Sequence, residues 1–191
     1  MKVLDGIDAT LARWLARQHL FFVATAPLSD AGHVNVSPKG MAGTFVVLDQ
    51  YRVGYLDYFG SGAETIAHLR ENGRITLMFA AFEGRPDIVR LYGTGRAVLT
   101  DDPEFAELRA KFAKDRVVAQ RSIIVVDLDR VQSSCGYAVP LLDFVADRAV
   151  LDLSQEKKGA AVYETYGQTK NASSIDGLPA LGTQSSRSVG S

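Results

Sequence analysis

The sequence predicts a mainly β protein, an antiparallel barrel of six short strands (a seventh signal is weaker) with helices appended to it. Three observations carry this. Short runs rich in β-formers recur over residues 20–134, each bounded by Gly, Pro, Asn or Asp. Few helical stretches interrupt them. One long run, residues 87–100, holds Gly93 and Gly95, the mark of a bend at a barrel corner or of a close backbone approach.

Taken in order, Asp8 caps a first helix that carries Leu11, Trp14 and Leu15 along one side. Residues 20–26, LFFVATA, read as a buried strand, and 27–32, PLSDAG, as a turn. Val34 and Val36 alternate with Asn35 and Ser37 in a second, antiparallel strand that stops at Pro38, leaving Lys39 and Gly40 in a loop. Residues 45–48 and 52–56 form a hairpin around Asp49 and Gln50. The chain is organised around residues 57–79. These hold a strand end, a Gly60-Ser61-Gly62 turn, a short helix and the next strand. Ser61 and Glu64 have capping-box spacing, and Asn72-Gly73 is a helix stop. Asp102-Pro103-Glu104 opens a helix whose Phe105, Leu108 and Phe112 face inward. Residues 123–128 read as a buried strand that 130–134 extends. A short helical turn follows at 141–145, and Ser154 caps a helix over 155–166.

Length and a hydrophobic content of 47% suit one core, so a single domain is expected over residues 1–182. Its C-terminal helical extension spans about 141–182, and 183–191 form a polar, disordered tail. A net charge of -1 provides no field to draw nucleic acid or an anionic membrane. The single cysteine, Cys135, rules out an intrachain disulfide and reads as a packed thiol; with no signal-peptide or membrane-length apolar run, a cytoplasmic location is expected. His19, His33 and His68 lack partners at metal-ligand spacing and read as surface or helix residues, so no metal site is expected. No G-x-S-x-G elbow and no dinucleotide fingerprint occur, and no acid–base set stands out. If the chain is an enzyme, a cofactor carries the chemistry.

The order of these pieces resembles the pyridoxamine 5'-phosphate oxidase superfamily, the FMN-binding split barrels. The strongest match covers Tyr58 to Leu99: Gly60-Ser61, the helix through Leu69, Asn72-Gly73-Arg74, Leu77-Met78-Phe79 and Gly95-Arg96-Ala97. A second is Val36-Ser37-Pro38-Lys39-Gly40. The resemblance implies a split-barrel homodimer with two FMN sites at the subunit interface. It places Lys39, Ser61, Gly62 and Thr65 at the phosphate, Val36, Ser37, Leu56 and Asp57 along the ribityl chain or ring, and Arg90 as a polar reach to the flavin. Arg90 reads equally well as an outward, solvated arginine. The family's strand arginine aligns with Val34, and its basic pair with Gly62 and Ala63, so Lys39 is the main cation left and the named oxidase activity is not expected. The segments 135–140 and 174–179 are similar to those of an uncharacterised subgroup.

The function this implies is an FMN-dependent oxidoreductase that takes a small-molecule substrate or electron donor. The alternative is a carrier that binds flavin, deazaflavin or haem without turnover. A small barrel that binds single-stranded nucleic acid ranks last, because the charge is balanced and the aromatics lie in apolar runs.

Overall fold

The computed structural model describes residues 1–182 and gathers the strand runs into one curled antiparallel sheet. Eight strands form: β1 Lys2–Leu4, β2 Leu20–Thr25, β3 Asn35–Gly40, β4 Phe45–Asp49, β5 Arg52–Tyr58, β6 Arg74–Ala80, β7 Asp87–Leu99 and β8 Gln120–Cys135. Their order is β3-β2-β6-β7-β8-β5-β4, with β1 paired to the far half of β8. The strands β3 and β4 are the two open edges, and this is where the barrel splits. The helices are α1 Ala9–Ala16, α2 Glu64–Asn72, α3 Phe105–Arg109, α4 Val150–Lys158, α5 Ala160–Glu164 and α6 Tyr166–Thr169. The fold is the FMN-binding split-barrel type that the element order implies. The tail expected at 183–191 lies outside the described residues.

Period-two alternation builds the core. Phe21 and Val23 of β2, Ile75, Leu77 and Phe79 of β6, and Val89 and Leu91 of β7 all point inward and are buried. Phe21, Phe45, Tyr55 and Phe79 form an aromatic cluster with centroids 5.0–5.7 Å apart. A second cluster, Leu56, Val98, Phe112, Ile123 and Val125, fills the opposite side of β5 and β8 under α3. Asp8 caps α1 by accepting from Leu11 N at 2.7 Å. At Gly93 the β7–β8 register shifts, and a Cβ there would lie 2.0 Å from Asp127 O.

Several local expectations change. β3 runs through Pro38 to Gly40, because an edge strand can turn a proline's missing N–H to its unpaired side. Lys39 is therefore a strand residue. The Ser61–Glu64 capping box does not form. α2 begins at Glu64 with Ala63 as its N-cap, and Glu64 Oε1 accepts instead from Ile175 N at 3.2 Å. Asp102 does not begin α3, whose N-cap is Glu104; its carboxylate accepts from Leu99 N at 2.6 Å. Residues 141–145 are not helical, since Phe144 is held by its N–H to Glu83 and by ring stacking on His19 at 3.5 Å. Ser154 lies inside α4, and Gly159, at φ 77°, breaks the long helix expected there. The residue expected to be a packed thiol, Cys135, is exposed at the end of β8. β1 was not legible as a strand. No helix among the described residues is long and apolar enough to cross a membrane.

Gly93→Ala should lower unfolding free energy by about 2 kcal/mol or more, since backbone on the facing strand leaves no room for a methyl group. Gly60→Ala, with nothing within 4 Å of its Cβ position, should stay within about 0.5 kcal/mol of wild type. Urea denaturation of both variants checks this; equal midpoints would show that the β7–β8 bulge tolerates the group.

Candidate functional site

Alternation along β3 turns Asn35, Ser37 and Lys39 toward the barrel interior and leaves Val36 and Pro38 outside. On β5 the same rule brings Tyr55 and Asp57 to that interior and sends Leu56 into the second apolar cluster. The two strands meet at the barrel mouth, beside the start of α2.

Asp57 is the centre of this mouth. Its carboxylate is 1% exposed and accepts from Lys39 Nζ at 3.2 Å, Arg121 Nε at 2.7 Å and Ser122 Oγ at 3.2 Å. Burial by itself would raise the Asp57 carboxyl, but Arg121 and then Lys39 more than offset it and hold it at about 2, below the ordinary value of 3.8. Arg121, from the start of β8, also donates to Gly62 O at 2.8 Å and Asn171 Oδ1 at 2.8 Å.

A neutral polar chain continues inward. Ser37 Oγ donates to Asn35 Oδ1 (3.1 Å), and Asn35 Nδ2 donates to Thr65 Oγ1 (3.2 Å) and to Thr25 Oγ1 (3.3 Å). Thr25 Oγ1 is hydrogen-bonded to His68 Nδ1 at 2.9 Å. His68 is wholly buried in α2, and burial pushes its imidazolium pKa down. Tyr55 Oη and His68 Nε2 are buried without a hydrogen-bond partner among the described residues. Burial, then the Asp57 charge, push the Tyr55 phenol well up.

The C-terminal extension closes over the 58–63 loop. Tyr163 stacks on Phe59 at 5.5 Å, and Tyr166 meets it edge-on at 5.6 Å. Gln155 Nε2 donates to Phe59 O at 3.1 Å, and Asn171, fully buried, donates to Gly60 O at 3.1 Å. Asp176 accepts from His33 N at 2.8 Å and pairs with the His33 ring at 2.7 Å.

Of the residues singled out from sequence, Ser37, Lys39, Asp57, Gly62 and Thr65 converge on this mouth. Ser61 sits exposed on the loop. Val36 and Arg90 lie on the outer face of the sheet, where Arg90 pairs across to Met78 and Gln132 and donates to Ser134 Oγ at 3.2 Å. Leu56 is buried away from both. Sequence reasoning missed Arg121, Asn171 and Asn35. Arg121 carried a signal, a charge directly before an apolar strand run; Asn171 carried none. No group of three His, Cys, Asp or Glu residues suited to a metal occurs among the described residues.

Residues 7–135 match the family model described as pyridoxamine 5'-phosphate oxidase. The chain belongs to the pyridoxamine 5'-phosphate oxidase family. A curated relative, the pyridoxamine 5'-phosphate oxidase family protein ustO of Aspergillus flavus, is 39% identical over 93% of this chain and 76% of its own. That match necessarily runs past residue 135, so the likeness includes part of the C-terminal extension. The crystal structure of HupZ from Group A Streptococcus overlays at a TM-score of 0.52 and 20% identity, over 65% of this chain and 91% of that one. A variant of the same protein gives 0.54 and 20% identity, over 67% and 99%. These structural likenesses concern the fold.

The mouth of this family member does not fit a phosphorylated flavin held by its phosphate at α2. Lys39 and Arg121 already share the Asp57 carboxylate, and Glu64 adds a second carboxylate at the helix start. A Cβ built on Gly62 would lie 2.2 Å from Glu64 Oε2, so that carboxylate covers the glycine. The remaining polar side chains, Asn35, Ser37 and Thr65, are uncharged and suit an uncharged polar chain.

The two cations differ in their hold on Asp57. Arg121→Met breaks a pair whose side chains are 5% and 1% exposed and should cost about 3–5 kcal/mol. Lys39 is a quarter exposed, so Lys39→Met should cost only about 1–2 kcal/mol. Chemical denaturation of both variants decides it.

Acid denaturation tests the same clamp. A carboxyl lowered on folding stabilises above its unfolded value, near 3.8, and loses that contribution as pH falls toward about 2. Stability should therefore drop steeply across that window, and Asp57→Asn should flatten the drop while lowering stability at neutral pH.

Proposed function

We propose that this chain is a flavin-dependent oxidoreductase that works as a homodimer, with its cofactor seated between two copies. The carrying observation is that the candidate contact residues divide over two faces of one sheet. Ser37, Lys39 and Thr65 face the mouth, while Val36 and Arg90 face outward, and one chain cannot bring both sets to one ligand. A second copy can. The outer face supports such a contact: Pro38, Phe22 and Met78 lie in register across β3, β2 and β6, beside the exposed Val36. Family membership supports the flavin class, and FMN is the form the resemblance implies; a deazaflavin or haem is the alternative.

A bound flavin supplies hydride or single-electron transfer, and the chain's part is to hold and shield it. One observation favours carriage without turnover. The charged groups Lys39, Arg121 and Asp57 of the mouth are committed to each other, and Asp57, ionised and 1% exposed, is no proton donor at neutral pH. A location in the cytoplasm and a small-molecule electron donor remain part of the proposal.

The purified chain should sediment as a dimer at micromolar concentration and show a flavin absorption spectrum. A monomer that still holds flavin would remove the shared-site arrangement. Stopped-flow mixing with NADH or NADPH should bleach the flavin of an oxidoreductase within catalytic times; a flavin left oxidised by both identifies a carrier.

A further inference from the structure

We infer that this protein takes its flavin by ring and polyol chain alone, so that the α2 end of the mouth recognises a phosphate-free flavin of the riboflavin class. The inference rests on the flavin reading above and narrows it. An incoming phosphate needs three things at a helix start: unoccupied space, N–H groups that point into it, and positive charge not already neutralised. The space over Gly62 is taken by the Glu64 carboxylate, which is itself held by Ile175 N at 3.2 Å. The loop before α2 is pinned by its carbonyls, with Gly62 O accepting from Arg121 at 2.8 Å and Gly60 O from Asn171 at 3.1 Å. It cannot swing to wrap an anion without breaking both bonds. The charge is also consumed: the two cations Lys39 and Arg121 and the two carboxylates Asp57 and Glu64 cancel. A phosphate dianion placed there meets the Glu64 carboxylate directly, at short range.

The extension makes this arrangement durable. Asn171 and Ile175 are only four residues apart, and Asp176 next to them is tied to His33 by two hydrogen bonds. The segment that closes the phosphate position is thus anchored independently of it. Deeper in the mouth, Ser37 Oγ, Asn35 Oδ1 and Thr65 Oγ1 are uncharged groups of the type that pairs with hydroxyl groups.

Titration of the full-length apo protein with riboflavin and with FMN, followed by flavin fluorescence quenching at pH 8, tests this. Riboflavin should bind as tightly as FMN or more tightly. A preference for FMN of more than about tenfold, the least that one charge-assisted phosphate contact provides, overturns the inference while leaving the flavin reading intact. Binding of neither flavin ends the flavin reading, and the inference with it. Glu64→Gln keeps the acceptor for Ile175 N and removes one charge. It should improve FMN affinity by about threefold to tenfold and leave riboflavin unchanged. An FMN affinity insensitive to this change would place the phosphate away from α2 and overturn the inference.

Discussion

A carboxylate buried at the mouth of a barrel must be paired or it will not stay ionised, and Asp57 organises this structure through that requirement. Its partners come from distant parts of the chain: Lys39 from an edge strand, Arg121 from the central strand β8, Ser122 from the residue beside it. The clamp therefore ties the free edge β3 to the middle of the sheet across the split. It also places Arg121 where its remaining N–H groups reach the loop before α2 and the C-terminal extension. A hydrophobic residue at Asp57 would pack, but it would leave two cations without a counter-charge and three elements without a common anchor.

The extension is part of the barrel's polar accounting. The loop at residues 58–63 exposes carbonyl groups that no strand neighbour satisfies, because the chain there leaves the sheet to enter α2. Gln155, Asn171 and Arg121 satisfy three of them, at Phe59, Gly60 and Gly62, and Tyr163 and Tyr166 cover the Phe59 ring. A fold specifies where a site lies, and side chains specify what it accepts.

Much of the architecture was legible because it rests on local pattern. β2, the β4–β5 hairpin, β6 and β7 follow from runs of β-formers bounded by turn residues, and Gly93 announced the register shift that the facing Asp127 carbonyl demands. Three of the errors were of one kind. The Ser61–Glu64 box, the stop at Pro38 and the helical turn at 141–145 are each a good local signal that a distant partner overrode. Glu64 went to Ile175, Pro38 found an edge, and Phe144 was drawn to Glu83 and His19. Local capping is worth about a kilocalorie per mole, which a tertiary contact easily exceeds.

The candidate site was legible by half. Lys39 and Thr65 could be placed by their neighbours in sequence, but nothing near Asp57 says that its second cation lies at position 121, or that Asn171 completes the set. By itself the sequence determined the strand pattern and the family, because side-chain alternation and turn chemistry act over a few residues. Only the tertiary structure decided which charges neutralise each other, which face of the sheet each candidate occupies and what covers Gly62. Those outcomes depend on pairings between residues tens of positions apart, and burial, which makes such pairings strong, exists only once the chain has folded.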